Sequence, residues 1–215
     1  SLKEEPIWPI PVWPGIEDAK NKLLHFPTDT WHAAASRHVE NFNDVAHFPW
    51  VHKETFGGYE NDPIPDYEVN HTDYGLTFDI PYLEEGNRFP DEVEGFERNV
   101  VYTYQLTFPF STIIMISPVD SDYVQYFADT VCPVSAHETK IFQVATDTTG
   151  NPDFDTLSKE TLMINNEDKG FVESQHPEDL PLDLMEEIHI PADRMSVEFR
   201  RTLAKKFGLG APLVN

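Results

Sequence analysis

His47 and His52, with Asp44 just ahead of them, form the pattern Asn41-x-x-Asp44-x-x-His47-x-x-x-x-His52. Two imidazoles suit a first-row divalent metal, and a nearby carboxylate can fix an imidazole through its second ring nitrogen. A five-residue step sets the two rings roughly 140° apart on an unbroken helix, so they converge only if the helix breaks. Pro49 predicts that break, since it disfavours helix at Phe48 and removes a backbone donor. Taken alone, Glu40, Asp44 and His47 read first as the wet face of an amphipathic helix, opposite the stripe Ala35, Val39, Phe42 and Ala46.

A further candidate ligand lies far downstream. Asp168 sits between Ile164 and Val172, one helical turn away on either side, with Phe171 nearby. A carboxylate on an apolar helix face is costly unless it is paired, protonated or bound to a cation. Its neighbours Glu167 and Lys169 read as solvated. Two imidazoles and one carboxylate on one side of a metal make the facial triad of non-haem Fe(II) sites, which leaves positions open for O₂ and substrate.

The elements that must bring these residues together are readable from periodicity. Residues 29–48 read as a helix ending near His47. Gly57, Gly58 and the Asp-Pro-Ile-Pro-Asp run at 62–66 mark a loop. From 66 to 147 the pattern alternates, in Tyr74–Tyr82, Val100–Phe108, Ser111–Ser117, Tyr123–Val131 and Thr139–Asp147, with an acidic loop from Glu84 to Gly95. Consecutive strands of this kind imply an antiparallel sheet, and two closing helices make the class α+β. The first helix, 158–174, takes Ser158 as its N-cap. The second, 193–207, carries Met195, Phe199, Leu203 and Phe207 as a core stripe, with Arg200, Arg201, Lys205 and Lys206 on a solvated face. At the other end, Pro6, Pro9, Pro11 and Pro14 alternate with Trp8 and Trp13, which predicts an extended linker or strap whose tryptophans pack on the domain.

Composition narrows the class. The chain has 215 residues, enough for one substantial core. Its net charge of −23 argues against nucleic acid and anionic membrane surfaces as partners. The single cysteine, Cys132, excludes an internal disulfide and any cysteine-ligated cluster built from this chain alone. Cys132 lies in an apolar run and reads as a buried thiol, and a cytoplasmic location is the default in the absence of targeting patterns.

The run Glu40 to His52 resembles the mononuclear-iron motif of Rieske oxygenases, the aromatic ring-hydroxylating oxygenase α subunits. The run Glu167-Asp-Lys-Gly-Phe-Val-Glu-Ser-Gln is similar to the segment that carries that family's third ligand. The region from Pro177 through Glu187, His189, Asp193 and Arg200-Arg201 continues the likeness, which covers nearly the whole chain. The three-residue step from Asn41 to Asp44 resembles the demethylase and monooxygenase branch, including vanillate, dicamba and toluenesulfonate-type enzymes.

The resemblance implies that His47, His52 and Asp168 ligate Fe(II). It implies that Asp44 is the carboxylate bridging to a neighbouring subunit's cluster, and that Asn41 lies just outside the iron shell. It implies a helix-grip fold, a curved antiparallel sheet packed on a long C-terminal helix, assembled as a homotrimer. The expected chemistry is O₂ activation for hydroxylation or oxidative demethylation of an aromatic or similar small substrate. The family's [2Fe–2S] domain needs two cysteines, so residues 1–15 are expected to be the strap and 16–215 the catalytic domain, with the cluster on a missing domain or on a ferredoxin or reductase partner.

Two other readings stand beside this one: a helix-grip ligand-binding domain without redox function, and a hydrolase holding zinc in the same triad. The pocket is expected among strands bearing Tyr102, Tyr104, Phe108, Tyr126 and Phe142, with Arg88, Arg98 or Lys140 as candidate anchors for an anionic substrate. Register decides which of these face inward. His32 and His38 read as surface or packing residues, and His176 and His189 as residues of a pocket rim.

Overall fold

Long alternation of apolar and polar residues, interrupted by tight turns, produces a meander of long antiparallel strands. The computed structural model describes residues 8–53, 55–58, 64–87 and 95–209. Pro6, Arg88, the Asp62-Pro63 pair and most of the acidic loop lie outside the described residues. In chain order the elements are β1 (Leu24–His25), β2 (Asp29–Trp31), α1 (Ala35–Phe42), α2 (Phe48–Val51) and β3 (Asn70–His71). The strands β4 (Gly75–Gly86), β5 (Phe96–Thr107), β6 (Ser111–Pro118), β7 (Gln125–Ser135) and β8 (Glu138–Asp147) follow. The helices α3 (Phe154–Glu173) and α4 (Arg194–Phe207) come last.

All strands join one antiparallel sheet, ordered β1-β8-β7-β6-β5-β4-β3, with β2 also on β8. Together with the helices this is the α+β architecture expected of the sequence. Inward positions on β4 and β5 (Leu76, Phe78, Ile80, Val100, Tyr102, Tyr104 and Leu106) are almost fully buried. On them pack Met195, Phe199 and Leu203 of α4, spaced one turn apart. Phe108 stacks on Phe199 at 5.9 Å. Trp8 closes the same end of the core against Phe207 and Phe108, at 5.1 and 6.0 Å.

Several local expectations are corrected. Residues 29–31 are strand, because their backbone pairs with Thr139–Ile141 of β8. The first helix therefore starts at Ala35 and stops at Phe42. Helix α3 starts earlier than Ser158, because the Asp153 carboxylate accepts the backbone N–H of Thr156 and caps it. Cys132 is exposed, not buried: Val131 takes the inward position on β7, so its neighbour faces out.

Arg200 is also not on a solvated face. It is buried, and its guanidinium pairs with Glu40 of α1 at 2.7 and 2.8 Å and with Glu187 at 2.7 Å. Arg37, likewise buried, reaches Glu187 at 2.9 Å and the carbonyl of Pro177 at 2.7 Å. These two arginines and two glutamates tie α1, α4 and the 177–187 segment together, directly behind the helix that carries Asn41. Removing one partner of such a network strands the others in a low-dielectric setting. Arg200→Ala is therefore expected to lower unfolding free energy by about 3 kcal/mol, whereas Lys205→Ala, on the exposed side, changes it by less than about 0.5 kcal/mol. Urea denaturation of the two variants checks this; equal small losses would place Arg200 outside the stabilising network.

Candidate metal centre

The chain between α1 and α2 is shaped by side chains that take over backbone hydrogen bonds. Asn43 donates to the carbonyl of Val39 at 2.8 Å and to Thr112 at 3.0 Å, ending α1. The Asp44 carboxylate then accepts the backbone N–H groups of Ala46 and His47, both at 3.0 Å. The break thus falls at residues 43–47, earlier than Pro49. Pro49 sits in the first turn of α2, where its missing donor is not needed. His47 and His52 occupy the two ends of this single-turn helix. Gly57 secures its far side: a side chain there would collide with the carbonyl of Phe48, 2.0 Å from an added Cβ.

Each ring is then fixed through its Nδ1. His47 Nδ1 lies 3.0 Å from Asp44, and His52 Nδ1 lies 2.7 Å from Glu167. Thr55 donates to the same Glu167 carboxylate at 3.2 Å. Glu167 is therefore not a solvated neighbour of Asp168 but the orienting carboxylate of the second imidazole. Nothing in α3 itself marks it, because its partner lies 115 residues away in the chain. Lys169 also has a structural partner, Asp29, at 3.0 Å.

The consequence is a tight triangle of donors. The two Nε2 atoms are 3.2 Å apart, and Asp168 Oδ1 is 3.3 Å from His47 Nε2 and 3.2 Å from His52 Nε2. Among the described residues, these three alone form a group able to hold a metal ion. With both Nδ1 atoms donating to carboxylates, the neutral rings present lone pairs to each other and to a carboxylate. That arrangement is repulsive unless a proton or a cation stands among them. A cation bonded at about 2.1 Å to three such donors holds them roughly 3.0–3.4 Å apart, so the observed spacing fits a metal. Asn41 donates to Asp168 Oδ1 at 3.1 Å, and its own Oδ1 is buried without a partner.

Without metal, protons must occupy the triangle. Burial pulls the His47 imidazole down, but Asp168 and Asp44 outweigh it and raise its pKa to about 9. Burial pushes Asp168 up, yet His47 and His52 hold it well below the usual carboxylate range.

The triangle opens onto a cavity of about 340 Å³ between the sheet and α3. Phe42, Phe48, Phe56, Ile114, Ile116 and Phe127 supply its apolar surface. Of the aromatic residues expected to line it, only Tyr102 does. Tyr104 and Phe108 are core residues and Phe142 is exposed, because the register of β8 turns Ile141 inward. Arg98 is on the wall; Lys140 and the rim candidates His176 and His189 are not. His38 is a packing residue, buried against Trp31 at 4.6 Å between rings and paired with Asp129 at 3.1 Å. His32 is exposed. Among the described residues no helix is long and apolar enough to cross a membrane.

Comparison with known proteins gives the family and the fold. Residues 31–207 match the model of the vanillate O-demethylase oxygenase C-terminal domain. The methylxanthine N1-demethylase NdmA of Pseudomonas putida is 27% identical over 197 residues, covering 90% of this chain and 53% of that protein. The methylxanthine N3-demethylase NdmB of the same organism is 28% identical, covering 89% and 52%. The chain thus spans about half the length of these relatives. The structure of NdmA from Pseudomonas putida CBB5 with caffeine superposes with a TM-score of 0.75 at 26% identity, covering 91% of this chain and 54% of that one. Dicamba monooxygenase bound to dicamba, at 16% identity and a TM-score of 0.70 over 91% and 61%, shares the fold.

Two measurements follow from the geometry. In metal-free protein the raised imidazole of His47 contributes stability that is full below its ordinary pKa of 6.5 and is lost as pH rises through about 9. A metal must displace that proton, so Fe(II) affinity is expected to climb with pH up to about 9, and uptake to release protons into weak buffer. Affinity independent of pH would contradict the triangle as the site. Glu167→Ala should weaken metal binding about 10- to 100-fold in a chelator competition, with little change in fold.

Proposed function

The chain belongs to the vanillate O-demethylase oxygenase C-terminal domain family, the catalytic domain of Rieske oxygenase α subunits, and from that premise we propose an oxygenase reading of its site. The chain would act as a non-haem Fe(II) oxygenase domain that removes N-methyl groups oxidatively from a compact heterocyclic or aromatic substrate. The observation that carries the reading is the converging Nε2, Nε2 and Oδ1 triangle beside an apolar chamber. In it, His47, His52 and Asp168 would hold the iron. Bound Fe(II) supplies O₂ binding and activation next to the substrate.

The remaining residues position and protect. Asp44 and Glu167 each hold one imidazole in a single orientation. Asn41 holds the Asp168 carboxylate through its amide. The phenylalanines and isoleucines of the chamber keep bulk water from the reacting end.

Demethylation by this route needs two electrons and two protons in addition to O₂. The single cysteine of this chain cannot ligate a Rieske [2Fe–2S] cluster, so the electrons come from a cluster carried elsewhere, on a Rieske domain or a ferredoxin or reductase partner. Asp44 is the natural entry, because its carboxylate touches a ligand imidazole and is partly exposed. In this reading residues 1–15 are a strap, 16–215 are the catalytic domain, and a cytoplasmic homotrimer brings a neighbour's cluster to Asp44.

Nitric oxide added to anaerobic Fe(II)-loaded protein tests the reading. The expected result is a high-spin iron–nitrosyl EPR signal that shifts when caffeine is added and is lost in Asp168→Ala. Absence of the signal in the parent protein would favour a ligand-binding domain. Tight zinc binding without iron binding would favour a hydrolase.

A further inference from the structure

A ligand that fills the chamber strips water from the polar groups of its wall, so each must already have a protein partner or find one on the ligand. Many are already bonded. Asn165 and Gln143 exchange amide hydrogen bonds at 2.6 and 3.3 Å, and Thr156 donates its hydroxyl to Asp153 at 2.9 Å. Thr55 donates to the carbonyl of His52 at 3.0 Å, and Tyr102 and Arg98 both donate to Glu84.

Two residues of the wall differ, Thr161 of α3 and Gln125 of β7. Among the described residues neither side chain has a hydrogen-bond partner. Thr161 is only 6% exposed. Its hydroxyl does not turn back onto a helix carbonyl, as that of Ser174 does onto Phe171 at 2.8 Å. The hydroxyl oxygen is not sealed into the core either, and the space it borders is the chamber. Two helical turns separate Thr161 from Asp168, so both lie on one face of α3, about 10 Å apart along its axis. Gln125 shares the inner face of β7 with Phe127, while the ring of Tyr126 between them lies against Gly15 on the other side of the sheet.

We propose that Thr161 and Gln125 determine specificity by hydrogen-bonding the substrate, and that they bias the chamber toward a neutral heterocycle bearing ring carbonyl or ring-nitrogen acceptors. The inference rests on the reading of this cavity as the substrate chamber of the iron site. A hydroxyl and an amide N–H both donate to such acceptors. A heterocycle that carries them replaces the hydrogen bonds of the water it expels. An arene of the same size without acceptors leaves a hydroxyl and an amide desolvated and unpaired, a penalty that discriminates more sharply than a small change in apolar size.

Calorimetric titration of the Fe(II)-loaded protein under argon tests this with two neutral bicyclic N-methyl probes. Caffeine carries ring carbonyls and a ring-nitrogen acceptor, and 1-methylindole carries neither. Thr161→Val keeps the shape of the side chain and removes the hydroxyl. It should weaken caffeine about 3- to 10-fold and leave 1-methylindole unchanged or tighter, so that the ratio of the two affinities falls. Thr161→Ser, which restores a hydroxyl, should hold the ratio within about twofold of the parent, and Gln125→Leu should lower it in the same direction. An iron–nitrosyl signal equal to the parent's checks that fold and iron site survive in each variant. An unchanged ratio removes the role from the residue concerned, and in Thr161→Val it overturns the proposal while leaving the oxygenase reading in place. Equal losses for both probes do the same. A parent protein that binds neither probe, with a normal iron–nitrosyl signal, overturns the proposal together with the cavity's role as the chamber.

Discussion

Both imidazoles of the site are held from behind. Asp44 and Glu167 each take an Nδ1–H, and this leaves two Nε2 lone pairs and the Asp168 oxygen pointed into one small space. A protein that sets three electron-rich atoms about 3.2 Å apart must place something positive among them. Protons can serve in metal-free protein, and a metal serves better, since it satisfies all three at once. Most other features of this fold make sense as ways of keeping that crowded triangle from relaxing.

The tethers act at several distances. The carboxylate of Asp44 shapes the turn from which His47 emerges, and Gly57 lets the loop after His52 pass close under the carbonyl of Phe48. Asn165 of α3 is locked to Gln143 of β8, and Gln143 in turn reaches the buried Asp129–His38 pair, so the helix bearing Glu167 and Asp168 is clamped to the sheet. Behind α1, the paired arginines and glutamates hold the other half of the site against α4. Helices that carry ligands from opposite ends of the sequence therefore approach as stiff bodies.

The parts legible in the sequence were those governed by periodicity and residue type. Strand alternation from 74 to 147 and the four-residue stripe of α4 announced the sheet and its covering helix. Asp168 stood out because a carboxylate among Ile164, Val172 and Phe171 needs a partner. What was not legible depended on long-range pairing. Glu167 and Arg200 looked like solvated charges because nothing in their own helices reveals a partner lying more than a hundred residues away in the chain. Register hid the chamber: a single step on β7 and β8 decides that Cys132 and Phe142 face out and Val131 and Ile141 face in. The helix break was expected at the proline, but the Asp44 and Asn43 side chains made it earlier by competing for the backbone.

Anomalous diffraction at the iron edge, from crystals grown with Fe(II) under argon, addresses the central claim most directly. The account predicts a single strong peak within coordinating distance of His47 Nε2, His52 Nε2 and the Asp168 carboxylate, with Asp44 and Glu167 still on the Nδ1 atoms. A peak ligated instead by Asp44 or Glu167, or no peak at the triangle, would contradict it.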